Sequence, residues 1–159
     1  MGDRIQKVII YDLDDTLFDS TGQPKDDGKN WSIKLFDGLQ EMLDSKKHLN
    51  ILVTRGNKEL QDRKIDVLGL RKNFLSIYIV ESDRHKHEQF KKIMIDFPDK
   101  EIVIVGNRID CEIRYGNQLG LKTIHIRHGK YMELKPRDQF EIPSESLGLG
   151  DLNNLEGYL

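Results

Sequence analysis

Cysteine is almost missing from this 159-residue chain: Cys111 stands alone, so no disulfide can form within it. A single thiol fits a reducing compartment, and the expected localisation is cytoplasmic. Long apolar runs are missing too. None approaches the roughly 20 residues of a membrane-spanning helix, and Met1-Gly2-Asp3-Arg4-Ile5 has no apolar core of the kind a secretory signal needs. After Met1-Gly2, Gln6 stands where a myristoylation signal carries Ser or Thr. Neither sign of charge dominates: 25 Lys and Arg face 27 Asp and Glu, for a net charge of −2. That balance gives no global electrostatic case for nucleic acid as a partner. Internal repeats, low-complexity tracts and linker-like segments are absent as well, so one domain spanning residues 1–159 is expected.

What is present is a well-patterned α/β sequence. Hydrophobic residues make up 37% and charged residues 33% of the chain, enough for a core under a heavily solvated surface. Apolar strand-like runs (Lys7–Tyr11, Leu49–Val53, Ser76–Val80, Ile102–Val105, Thr123–Ile126) alternate with helical stretches (Ile33–Ser45, Lys58–Leu68, His85–Phe97, Asp110–Leu119). This alternation predicts a Rossmann-like three-layer α/β sandwich around a mostly parallel sheet of about five strands. Pro98 predicts the end of the third helix, and Gly120 the residue just past the fourth. Phe140–Ile142 and Leu147–Leu159 predict a short edge strand and a terminal helix. Ser20–Trp31, polar and glycine-containing, reads as a mobile flap.

The most specific feature is Val8-Ile9-Ile10-Tyr11-Asp12-Leu13-Asp14-Asp15-Thr16-Leu17. A buried strand of β-branched character ends abruptly in three acids. Carboxylates at the carboxyl end of such a strand stand where open α/β sheets bind their ligands. Asp12 and Asp14 share a face on an extended chain, and like charges held together call for a cation or a shared proton. The pair suits a metal-assisted nucleophile with a general acid; a turn-capping Asp cluster is the plainer alternative.

Asp12-Leu13-Asp14-Asp15-Thr16-Leu17 resembles the DxDxT first motif of the haloacid dehalogenase superfamily, most of whose members are phosphohydrolases. Leu52-Val53-Thr54-Arg55-Gly56 follows another apolar strand. By itself it reads equally as a phosphate cradle at a helix start or as ordinary capping. In second position it is similar to the superfamily's Thr/Ser motif, which implies Thr54 as a phosphoryl ligand with Arg55 adding charge. The third motif is a lysine at a helix start: Lys86 is expected, with Arg84 the alternative, in Ser82-Asp83-Arg84-His85-Lys86-His87. His85 and His87, two apart on a helix, do not share a face and read as solvated. Ile102-Val103-Ile104-Val105-Gly106-Asn107-Arg108-Ile109-Asp110-Cys111-Glu112 is similar to the fourth, metal-binding motif, but Asn107 replaces its usual first Asp, with Asp110 and Glu112 nearby. Cys111 among these acids reads as a packing thiol.

The resemblance covers residues 5 to 130. It implies that Asp12 attacks phosphorus, that Asp14 donates and later accepts a proton, and that Thr54, Arg55 and Lys86 hold the phosphoryl oxygens. Mg²⁺ is the implied cofactor, on Asp12, Asp14, Asn107 and Asp110. The stretches Thr16–Thr54 and Thr54–Lys86 are too short for a folded cap, which implies an open cleft that either a large phosphorylated substrate or partner closes or an oligomeric neighbour covers. Asp14 favours phosphate over halide chemistry, since a leaving alkoxide needs a proton. A receiver-like domain would carry its phosphorylated Asp after the third strand, where Val80-Glu81-Ser82 stands. Asn107 keeps open a second possibility, a weakly active or non-enzymatic interaction protein.

Overall fold

Val8–Tyr11 (β1) is buried along its whole length and accepts neighbours on both edges, as its continuous β-branched character requires. The computed structural model describes residues 6–159. In it, β1 lies inside one six-stranded sheet with β2 (Leu49–Arg55), β3 (Ser76–Val80), β4 (Ile102–Gly106), β5 (Lys122–Ile126) and β6 (Glu145–Leu147). The spatial order is β3-β2-β1-β4-β5-β6 and every pairing is parallel. The chain winds outward from β1 to β3, then crosses to the other side of β1 at β4. That reversal places the topological switch point between β1 and β4 and opens a crevice beyond their carboxyl ends.

Alternation along the strands builds two core layers. Ile9, Tyr11 and Leu52 face α1 (Leu39–Asp44), α2 (Lys58–Val67) and α5 (Leu155–Tyr158). Val8, Ile10, Ile51 and Val53 face the other way, onto Phe90 and Ile93 of α3 (Asp83–Asp96) and Tyr115 of α4 (Arg114–Gln118). The result is the α/β three-layer sandwich expected, with the short edge strand of the tail at Glu145–Leu147 rather than at Phe140–Ile142. Its position escapes pattern reading because it is only three residues long and carries one buried side chain, Leu147.

Three further elements differ from their predicted form. The helix expected from Ile33 begins only at Leu39, because the preceding residues are held extended: Phe36 N–H donates to Leu17 O at 2.8 Å, and Leu35 bridges Phe18. The helix expected from Asp110 opens as a wide π-type turn over Ile109–Ile113 before α4. Phe140–Ile142 contributes to a 3₁₀ turn (Gln139–Glu141) rather than a strand, and the terminal helix is 3₁₀ through Asn154, becoming α only at Leu155. Pro98 and Gly120 stand two residues past their helices, as predicted.

The long connection between β5 and β6 is pinned at its far end. Glu141, fully buried, receives hydrogen bonds from Arg137 at 2.6 Å and Arg114 at 3.1 Å, and Asn117 donates to the carbonyls of Phe140 and Ile142. The Arg137 hydrogen bond above all, aided by Arg114, outweighs burial and holds the Glu141 carboxyl down at about 2. A depressed folded-state pKa contributes stability above the unfolded value and loses it as pH falls toward the folded one. Glu141→Gln is therefore expected to destabilise the chain at pH 7, with the deficit shrinking as pH falls from about 4.5 to about 2. Urea unfolding across that range measures it; a deficit independent of pH would show that the ion cluster contributes nothing.

Candidate active site

The β1 carboxyl end turns sharply into a short loop. Asp12 N–H still pairs with Val105 O at 3.0 Å, so this residue is fixed between β1 and β4 at the switch point. Leu13 O then accepts from the amides of Thr16 and Leu17, with Asp15 at a positive φ of 57°. The turn sends the three acids in three directions.

Asp12 points into a polar cleft of about 540 Å³. Its Oδ1 accepts from Lys86 Nζ at 2.7 Å and its Oδ2 from Thr16 Oγ1 at 3.2 Å. Lys86 comes from the first turn of α3, whose start is capped by Ser82, and its ammonium is buried. Arg84, by contrast, lies in solvent on Glu88, so Lys86 is the basic residue that reaches the cleft. Asn107, just past β4, is buried beside them: its Oδ1 is 3.5 Å from Thr16 Oγ1, and its main-chain carbonyl takes His125 Nε2 at 3.1 Å.

Glu112 completes this inner group. Its carboxylate is buried, neither oxygen accepts a hydrogen bond, and Lys86 Nζ stands 3.6 Å from Oε1. The close approach depends on Gly106, since a Cβ there would come within 2.8 Å of the Glu112 side chain. Asp110 does not take part: both its oxygens accept from Arg108, at 3.0 and 3.1 Å, and it does not line the cleft. Of the two acids named from this stretch, the structure brings Glu112 to Asp12 and leaves Asp110 outside, because the wide turn over Ile109–Ile113 rotates Glu112 inward.

Asp14 lines the same cleft but is held from α2. Lys64 Nζ donates to its Oδ1 at 2.7 Å and Gln61 Nε2 to its Oδ2 at 2.9 Å. Gln61 also donates to Thr54 Oγ1 at 2.7 Å, so one amide ties the ends of β1 and β2 together. Thr54 is completely buried under Gln61 and does not line the cleft, whereas Arg55 does, paired with Asp83 at 3.0 Å. Gln61 and Lys64 escaped sequence reading. Their signal was their spacing of three, which puts two long polar side chains on one face of α2.

The third acid is structural. Asp15 accepts from Ser20 N and Thr21 N at 2.9 Å and from Thr21 Oγ1 at 2.6 Å. Its ligand atoms, with those of Asp19 and His128, lie within 4.8 Å of one another. They are already engaged: Asp19 Oδ1 takes His128 Nε2 at 2.8 Å and Gly22 N at 3.0 Å. This trio ties the first loop to the start of the β5–β6 connection, where Gly129, at φ +85°, packs against Asp15 with no room for a Cβ. Lys130 and Tyr131 thereby reach the cleft wall. The segment Gly22–Trp31 does not: Asp26 is paired with Arg63 at 3.0 Å, and Trp31 donates to Pro24 O and packs on the core.

Electrostatically the inner group is one cation short. Two buried carboxylates, Asp12 and Glu112, share the single Lys86 ammonium. Burial first, and Glu112 second, push the Asp12 carboxyl up to about 8 against the opposing pull of Lys86. Burial by itself would weaken the charge on Lys86, but Asp12 and Glu112 outweigh it and hold the ammonium protonated. The Cys111 thiol is raised by burial and then by Glu112, which leaves it inert as a nucleophile.

No family model matches the sequence. The chain is 33% identical over 97 residues to a glyceraldehyde 3-phosphate phosphatase from Methanopyrus kandleri, a match taking in 57% of this chain and 41% of that protein. The chain thus spans less than half the length of the curated relative it matches. Among solved structures it is similar to a predicted phosphoglycolate phosphatase from Haemophilus somnus (TM-score 0.71, 14% identity, 98% of this chain and 99% of that one). It is also similar to a haloacid dehalogenase-like hydrolase from Xanthomonas campestris (TM-score 0.66, 13% identity, 96% and 91%). A magnesium-bound HAD-hydrolase from Bacillus subtilis compares likewise (TM-score 0.68, 14% identity, 96% and 99%). The fold is that of the haloacid dehalogenase-like hydrolases.

The uncompensated carboxylate gives a stability prediction. In metal-free buffer the folded chain holds a proton on Asp12 that the unfolded chain has released, so stability falls as pH rises from about 4 to about 8. Asp12→Asn removes that cost. It is expected to stabilise the metal-free chain by on the order of a few kcal/mol at pH 8 and above, with the gain fading toward pH 4. Urea unfolding in EDTA checks this, and a variant less stable than its parent at pH 8 would contradict the electrostatic reading.

Proposed function

We propose that the chain is a phosphohydrolase of the haloacid dehalogenase type, without a cap domain, and that Asp12 is its nucleophile. The observation that carries this reading is the meeting of Asp12, Lys86, Asn107 and Glu112 at the β1/β4 switch point, with Asp14 on the same cleft. The similarity to a curated phosphatase supports it. Asp12 forms an aspartyl-phosphate, dividing one displacement into two. Asp14 protonates the leaving oxygen and then takes a proton from the attacking water. Lys86 offsets charge on the nucleophile and the equatorial oxygens, with Arg55 contributing from the wall. Thr54, sealed under Gln61, reaches a phosphoryl oxygen only if that amide moves.

The donor set fits Mg²⁺: Asp12, the Asn107 side-chain carbonyl, the Asp14 main-chain carbonyl and Glu112 offer hard oxygen ligands around an uncompensated buried charge, and the Glu112 oxygens lack hydrogen-bond donors. A bound divalent ion supplies charge neutralisation between the nucleophile and the phosphoryl oxygens. Asn107, neutral where a carboxylate is usual in the resembled motif, weakens that set. This same substitution supports a second reading, in which the fold is kept for interaction and turnover is feeble.

A panel of phosphorylated metabolites assayed with Mg²⁺ and with EDTA separates the two. Mg²⁺-dependent release of phosphate is expected, and its abolition in Asp12→Asn; undiminished turnover in that variant would sink the assignment. Asp14→Asn should cost on the order of 10²–10⁴-fold with alkyl phosphates and much less with an activated aryl phosphate, whose leaving group needs no proton. Asn107→Asp should tighten Mg²⁺ binding, read as a lower half-saturating concentration; an unchanged titration would place Asn107 away from the ion.

A further inference from the structure

The cleft has a polarity gradient. At its floor, Asp12 and Glu112 outnumber Lys86, and Asp14 and Asp15 are each already satisfied, by Lys64 and Gln61 and by the Ser20–Thr21 turn. At its mouth stand Arg55, Arg108 and Lys130, with one carboxylate, Asp83, shared by the two arginines. Arg108 has Asp110 on its outer side. Lys130 has no carboxylate partner among the described residues; its Nζ lies 5.1 Å from the Tyr131 ring centroid, and Arg108 lies 4.6 Å over the same ring. The tip of Lys130 is free, but its backbone is not. Lys130 N–H donates to Thr21 Oγ1, Gly129 is wedged on Asp15, and His128 is bonded to Asp19. The cavity, about 540 Å³, is far larger than a phosphoryl group.

From this we infer a leaving-group subsite: Lys130, with Arg108 and Tyr131, recognises a second anionic group, carboxylate or phosphate, on the part of the substrate that departs. The substrate class is a small phosphomonoester bearing that second anion. A cation without a carboxylate partner on an anchored loop, lining the same cavity as the nucleophile, makes the charge-assisted contact with no internal ion pair to break first. Tyr131 holds both cations near the cleft by cation–π contact and offers a flat wall to the carbon skeleton between the two anions. The inference rests on the phosphohydrolase reading for which end of the substrate faces Asp12. Its recognition element does not depend on turnover.

The test uses two ligands of nearly equal shape, 3-phosphoglycerate and glycerol 3-phosphate, which differ by a carboxylate in place of a hydroxymethyl group. Calorimetry on the full chain carrying Asp12→Asn, in Mg²⁺, measures binding without turnover. The carboxylate ligand is expected to bind about tenfold more tightly; adding Lys130→Met should reduce the ratio to about one, and Lys130→Arg should keep it. Equal binding by the parent, or loss of both ligands alike in Lys130→Met, overturns the subsite. Steady-state rates on the wild-type chain are measured beside it. Turnover without the preference overturns the subsite and leaves the phosphohydrolase standing. The binding preference with no turnover of any member of the phosphate panel does the reverse, and binding of neither ligand with no turnover of the panel overturns both.

Discussion

One ammonium shared by two buried carboxylates is the constraint on which this structure turns. Lys86 reaches Asp12 and Glu112 from the far side of the sheet, and the contact requires four elements to be in register: β1 and β4 side by side, α3 packed across them, and the wide turn after β4 rotating Glu112 inward. Nothing in the hydrophobic core demands that arrangement; the core would be satisfied by an apolar plug at the same place. A buried charge imbalance is costly and persists only where the surrounding structure over-determines it. The two apolar layers of the sandwich supply that rigidity, and the strands meet the site at their most firmly held point, the centre of the sheet.

Around this centre the polar side chains sort by what they neutralise. Lys64 and Gln61 belong to Asp14, Arg137 and Arg114 to Glu141, and Arg108 to Asp83 and Asp110. A chain with nearly balanced charge thus keeps most of its buried or half-buried acids paired, which makes the exceptions informative. Glu112 at the floor and Lys130 at the mouth are groups of opposite sign, each short of a partner among the described residues, in one cavity. A dianionic ligand together with a divalent cation would complete both.

The strands were legible because a parallel sheet buried on both faces leaves continuous apolar runs, and each of the five predicted strands lies within two residues of its observed bounds. The edge strand of the tail was expected at Phe140–Ile142 but stands at Glu145–Leu147, since three residues at an edge carry too little pattern to fix their place. The helix forecast from Ile33 failed for a different reason: a periodic apolar face also suits an extended segment whose side chains dock on a neighbouring loop, as Ile33 and Leu35 do. At the site, the placement of Asp12 and Asp14 on one cleft followed from their position at a strand end, and that of Lys86 from the resemblance to the superfamily's third motif. The choice between Asp110 and Glu112 did not, because it depends on how many residues the turn after Gly106 spends before becoming regular helix, and one extra residue per turn exchanges which acid faces inward. Lys130 and Tyr131 were invisible for want of any periodicity; only the three-dimensional tie through Asp15 brings them to the wall of the cleft that holds the nucleophile.

That tie gives the first loop a dual character. Asp15 sits one residue from Asp14 and three from Asp12, yet its hydrogen bonds and its contact with Gly129 set the take-off of the β5–β6 connection. The scaffold for chemistry and the scaffold for recognition are therefore anchored to a single hairpin bend. From Met132 to Gln139 the connection runs exposed before Glu141 pins it again. Met132–Pro136, between the cleft residues Lys130 and Tyr131 and the Arg137–Glu141 pair, are suspended between two fixed posts, free to be exchanged or lengthened without disturbing the geometry at β1. The molecule is built as a permanent base with a replaceable fitting.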